Sequence, residues 1–171
     1  ATICFDPYHV VKLANEAVHH VRRTEARERK GTPEAAVLKG SRWTLLKTPE
    51  NLRPDEQLQL STVAAINKRV YRAYLLKEEL RALYQCGPEA AERHLRTWSA
   101  WASRSRLEPF VKLARTLREH WDGVLAAIRL GLSNGRLEGL NNKVGVIKRR
   151  AYGFHSAAAL MAMVFLCCSK I

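Results

Sequence analysis

Four cysteines stand among the 171 residues, Cys4, Cys86, Cys167 and Cys168, and they form no C-x-x-C pair and no Cys/His zinc spacing. That speaks against a zinc ribbon or finger within the chain. Adjacent Cys167 and Cys168 end an apolar stretch and read as core thiols, for which a reducing cytoplasm is the simplest compartment. No signal peptide is visible. The continuous apolar run Ala157 to Cys168 falls short of the ~20 residues that span a bilayer, so no membrane partner is expected. It reads as a buried helix with neighbours on more than one face. No internal repeat or low-complexity segment stands out. Carboxylates are the minority charge: 29 Lys and Arg oppose 16 Asp and Glu, and 29 − 16 gives +13, with an isoelectric point near 10.1. Such an excess favours polyanions and salt-sensitive, largely sequence-independent affinity for nucleic acid. By itself it separates neither DNA from RNA nor binding from catalysis.

What is present is mostly helical pattern. A first helix is expected from about Pro7 to Arg29, highly charged after Val21 in RRTEARERK, and broken by Gly31, Thr32 and Pro33. The segment up to Pro54 reads as irregular, with Trp43 and the Leu45-Leu46 pair as anchors. A long amphipathic helix then runs from Asp55 to Leu83, with Leu58, Val63, Ile66, Val70, Leu75, Leu76, Leu80 and Leu83 as core candidates. Gly87-Pro88 breaks it. One further helix reaches about Ser103, and another runs from Leu107 or Glu108 to Leu130. Trp98 and Trp101, at i and i+3, read as core residues.

The stretch from Leu132 to Phe154, LSNGRLEGLNNKVGVIKRRAYGF, concentrates the chemistry. Ser133, Asn134 and Gly135 make a turn with N-cap candidates. Leu137, Leu140, Val144, Ile147 and Ala151 then recur at helical spacing. Glu138 lies off that apolar face, with Asn141, Asn142, Gly145, Lys148 and Arg149 around the non-apolar side and Arg150 ending the basic run. A carboxylate on a basic, Asn-rich helix suits a place where a metal ion meets a phosphate backbone. A first-turn Glu also simply favours the helix dipole, and three basic residues also suit a solvated face. Near the other end, Ile3-Cys4-Phe5-Asp6-Pro7 reads as a short strand ending in Asp, with Pro opening a helix. Asp6 is equally suited to cap that helix. His9, one turn in, is able to orient a carboxylate or a phosphate, or to serve as an ordinary surface residue.

The pattern Ser133, Asn134, Gly135, Glu138, Asn141, Arg149, Tyr152, Gly153, Phe154 resembles the C-terminal signature of the ISL-three family of bacterial insertion-sequence transposases. Asp6-Pro7-Tyr8-His9-Val10 resembles the family's segment around the second catalytic acid, with Tyr8 in place of the commoner Phe. Trp43 to Leu52, Tyr71 to Leu83 and Leu95 to Leu117 resemble its helical insertion. The resemblance implies a mainly α chain that forms the C-terminal part of an α/β RNase H-like core, one strand ending at Asp6, interrupted by an all-α insertion. Residues 1–30 would belong to the core, 31–131 to the insertion and 132–171 to the core's last helices. It further implies a DDE enzyme of DNA transposition. Asp6 and Glu138 would be catalytic acids and ligands of Mg²⁺ or Mn²⁺, two ions in the complete enzyme. Lys148, Arg149, Arg150, Asn134, Asn141, Asn142 and His9 would meet DNA, the transposon ends and target. A homo-oligomer or pairing with full-length transposase is expected as well. The family's first catalytic Asp and its N-terminal zinc-binding and helix-turn-helix regions precede the position of Asp6. The chain alone is therefore expected to be a truncated, inactive part. The alternative is a non-catalytic basic fragment that binds DNA or modulates the full-length enzyme.

Overall fold

The computed structural model describes residues 5–131, 142–147, 149, 154 and 156–168. They divide into two compact units, residues 1–131 and residues 132–171. Among the described residues the regular structure is helical, without a strand. The strand expected before Asp6 is not seen at Phe5, whose N–H donates to the carbonyl of Gly123 at 3.0 Å, a helix residue and not a sheet partner. Ile3 and Cys4 lie outside the described residues.

In the first unit α1 (Pro7–Glu28) is the central helix. Val10, Ala14, Ala17, Val18 and Val21 recur at i, i+3 and i+4, and all are buried. Around α1 pack α2 (Pro33–Gly40), α3 (Arg42–Leu46), α5 (Lys68–Ala82) and α7 (Glu108–Glu119). Helix α4 (Pro54–Ile66) lies against α2, α3 and α5, and α6 (Pro88–Arg104) against α5, α7 and α8 (Trp121–Arg129). Trp98 fills the middle of this core, and its indole N–H donates to the carbonyl of Leu76 at 2.8 Å. Trp101 is half-buried beside it.

Three expectations about the helices are corrected. The segment after Pro33 is not irregular: Thr32 accepts the N–H of Ala35, Pro33 occupies the first turn, and α2 forms, followed by α3. The long helix from Asp55 breaks at Asn67, where φ is −144° and ψ 92°. Asn67 Oδ1 accepts the N–H groups of Arg69 and Val70, so its side chain starts α5 where apolar periodicity alone would have continued α4. The helix from Glu108 likewise breaks at His120, whose ring stacks on Phe5 at 4.6 Å. Leu58, expected in the core, is 70% exposed, and Trp43 is 64% exposed while Leu45 is buried.

In the second unit residues 142–147 are helical and form α9, and α10 (Ala157–Cys168) starts at Ser156, whose Oγ accepts the N–H of Ala159. The expected burial of α10 is not met: Met161, Met163 and Leu166 are exposed. A uniformly apolar helix needs cover on every side, and these side chains do not have it. Cys167, read as a core thiol, is exposed too. No helix among the described residues is long and apolar enough to cross a membrane.

Candidate functional site

Asp6 sits where the chain enters α1, held from both sides. Ahead of it, Phe5 is fixed to α8 by the Gly123 hydrogen bond and the His120 stack. Behind it, Pro7 sets the first helical φ, and Asp6 Oδ1 accepts the N–H of Tyr8 at 3.0 Å. Asp6 therefore does cap α1. The cap uses Oδ1 and leaves Oδ2 with the imidazole of His9 at 3.7 Å, beyond hydrogen-bonding distance. His9 is largely exposed, with its ring edge-on to Tyr8. Tyr84 lies close enough to feel the Asp6 charge. Burial first, and that charge second, push its phenol well above the usual range, and its hydroxyl meets no partner among the described residues.

Of the residues expected on the second unit, Asn142 and Arg149 are helical and exposed. Asn134, Glu138, Asn141, Lys148 and Arg150 lie outside the described residues. The structure brings Asp6 and His9 together. Among the described residues no cluster of three His, Cys, Asp or Glu side chains is placed to hold a metal.

A second feature of the first unit was not singled out in the sequence. Along the outer side of α1 runs a groove in two adjoining stretches of about 440 and 520 Å³, walled by α2 and α3. Lys12, His19, Arg23, Arg27 and Arg42 line it, with Lys30 and Lys39 at one end and Glu16 as its carboxylate. Its floor is Arg22, 6% exposed, whose guanidinium donates to the carbonyls of Leu38 at 2.9 Å and Lys39 at 3.1 Å and so ties α2 to α1. Burial, then the charges of Arg42 and Arg23, lower the Arg22 pKa from its ordinary value. His19 is also lowered, by burial first and then by Arg22, Arg42, Arg23 and His20. The signal was present at positions 12, 19, 23, 27 and 30, one helical face. It was masked by the interleaved Glu25 and Glu28, so that RRTEARERK read only as highly charged.

A model of a transposase family, the DDE type named for ISL3, matches residues 1–164. The chain belongs to the ISL3 family of DDE transposases. It is 36% identical over 185 aligned residues to the transposase for insertion sequence element IS1557 of Mycobacterium tuberculosis, in strains CDC 1551 and H37Rv alike, covering 95% of this chain and 42% of the relative. It is 34% identical over 158 residues to the transposase for insertion sequence element IS1001 of Bordetella parapertussis, covering 90% of this chain and 39% of that relative. This family member thus spans about two fifths of the length of the curated relatives it matches. No solved structure matches it.

Proposed function

We propose that this chain is the part of a DNA transposase that carries two of its metal-binding acids, Asp6 and Glu138. In this reading residues 1–30 and 132–171 belong to an RNase H-like core, and residues 31–131 are a helical insertion. The observation that carries it is the family match over nearly the whole chain, with relatives named as transposases for insertion sequence elements.

Asp6 fits the role chemically. Mg²⁺ and Mn²⁺ take carboxylate oxygens and keep several waters or phosphate oxygens as ligands. The Asp6 carboxylate is partly exposed, with Oδ1 committed to Tyr8 and Oδ2 without a hydrogen bond among the described residues. One role therefore does not exclude the other. When bound, a pair of such ions supplies charge stabilisation to an in-line displacement at phosphorus. In the complete enzyme Asp6 and Glu138 hold the cations, and His9 orients the Asp6 carboxylate or a phosphate. Lys148, Arg149 and Arg150 fix the DNA backbone, and Asn134, Asn141 and Asn142 position Glu138 or contact that backbone. The substrates are transposon ends and target DNA, and a second transposase copy is the expected protein partner. The 171 residues supply two matched acids of three, so by themselves they bind cations weakly and do not cleave.

Electron paramagnetic resonance of Mn²⁺ added to the purified chain, with nicking of supercoiled plasmid scored in the same samples, tests this. Weak binding lost in both Asp6→Asn and Glu138→Gln, without nicking, is expected. Unchanged binding in both variants removes the assignment of the acids. Nicking abolished by Glu138→Gln overturns the inactivity of the chain alone. A second reading, a DNA-binding module without a chemical step, is favoured by the cationic groove on the first unit.

A further inference from the structure

We propose that the groove between α1 and α2–α3, whose lining does not include Asp6, is a docking track for a DNA backbone. Only the choice of DNA among polyanions rests on the transposase reading.

Three observations carry it. First, the charge is uncompensated. Lys12, Arg23, Arg27, Lys30, Lys39 and Arg42 are exposed, and none makes an ion pair among the described residues. Two acids of the same segment are drawn elsewhere, and the exposed Glu28 is not in the groove's lining. Glu25 is 2% exposed and turned inward, where it pairs with Arg29 at 2.6 Å and Arg69 at 2.7 Å. Glu34 pairs with Arg29 at 3.3 Å. Glu16 alone opposes the groove's cations from within its lining. Holding several cations this close without counter-charge raises the energy of the free protein, and a polyanion relieves it.

Second, the groove keeps unspent hydrogen-bonding capacity. The buried Nε of Arg22 and the amide oxygen of Asn15, both in the lining, meet no partner among the described residues. The guanidinium of the groove residue Arg42 lies 4.7 Å from the centre of the Trp43 ring, and that indole is 64% exposed. An exposed indole beside a cationic track suits a deoxyribose or an unstacked base.

Third, the dimensions suit a backbone. Lys12 and Arg27 are 27 − 12 = 15 residues apart on α1, ~22 Å at a rise of ~1.5 Å per residue. One strand of B-DNA advances about 3.4 Å along the helix axis per phosphate and winds away from a straight line, so the track is long enough to meet a few successive phosphates. A small anion would use one or two of these cations; a continuous strand uses all of them.

Fluorescence anisotropy with a labelled duplex of arbitrary sequence, in EDTA and over a salt series, tests the proposal without involving metal binding. The triple variant Arg23→Gln, Arg27→Gln, Arg42→Gln is compared with Arg93→Gln, Arg104→Gln, Arg115→Gln, which removes equal charge from exposed residues of α6 and α7. All six positions are exposed, and circular dichroism confirms that both variants fold. The groove variant should lose at least about tenfold in affinity, and its log–log salt slope should shrink by about three, at ~0.9 per phosphate contact. The control variant should lose less than about threefold. Equal losses in the two variants, or none in the groove variant, overturn the track. If a duplex RNA of equal length displaces the label better than duplex DNA, the assignment to DNA is overturned. Because EDTA removes divalent cations, failure of the Asp6 and Glu138 assignment leaves this result untouched, and the reverse holds as well.

Discussion

Replacing Glu25 by alanine should destabilise the first unit by about 2–4 kcal/mol. Glu25 is 2% exposed in α1 and binds three donors: Arg29 at 2.6 Å, Arg69 at 2.7 Å and the Asn67 amide at 2.8 Å. The three are not equivalent when the carboxylate goes. Arg29 and Arg69 are 32% and 55% exposed, so both can swing to water, and each pair contributes little. The Asn67 amide is buried and cannot. Leaving its donor unmet costs about 1–3 kcal/mol. The same side chain caps α5 through Oδ1, and loosening a cap costs about 0.5–2 kcal/mol. The two effects sum to about 1.5–5 kcal/mol, and the stated range is the middle of that span. Urea unfolding followed by circular dichroism measures it, with the midpoint shifted and the slope unchanged. Glu25→Ala and Asn67→Ala should be strongly non-additive, whereas Arg29→Ala should cost about 1 kcal/mol or less. A midpoint for Glu25→Ala within about 0.5 kcal/mol of the parent would refute the reasoning.

Lys77 is 3% exposed and donates to the carbonyls of Leu45 at 2.8 Å and Lys47 at 3.0 Å, so Lys77→Met should cost about 1–3 kcal/mol in the same urea experiment by orphaning them. Arg106 holds φ at 59° between α6 and α7, and Arg106→Gly should raise stability by up to ~1 kcal/mol, read as a higher melting temperature; a fall would show that its side chain matters more than its backbone. His19 has its pKa lowered by burial and by Arg22, Arg42, Arg23 and His20, so the unfolded chain binds the proton more readily. Stability should therefore decline as pH falls from about 6.5 toward the lowered value, and His19→Gln should flatten that decline in a pH series of unfolding midpoints.

Much of the first unit was legible because apolar residues repeat at helical spacing. The burial of Val10, Ala14, Val18 and Val21 follows directly from it, as does that of Val70, Leu76 and Leu80. What escaped was set by side chains that bond to backbone. Asn67 interrupts a periodicity that runs through it, and Thr32 starts a helix in a stretch rich in breakers. Asp6 could be picked out by its place before Pro7, and its capping bond was foreseeable from the same place. The groove was not, since helical spacing shows which face a charge occupies but not whether its counter-charge has been drawn to a partner on another helix. Glu25 needed Arg69 and Asn67, more than 40 residues away, before RRTEARERK could show its cationic side.

The Lys77 ammonium also orders events during synthesis. Arg22 meets the carbonyls that anchor α2 within 17 residues, soon after they leave the ribosome. The Lys77 that latches the end of α3 lies 30 residues beyond Lys47, which at ~5–20 residues per second puts its synthesis ~1.5–6 s later. Through that interval the nascent chain holds one wall of its cationic groove while the other is still unlatched, and any polyanion nearby, the ribosome's own RNA included, meets the charges before the groove has its final shape.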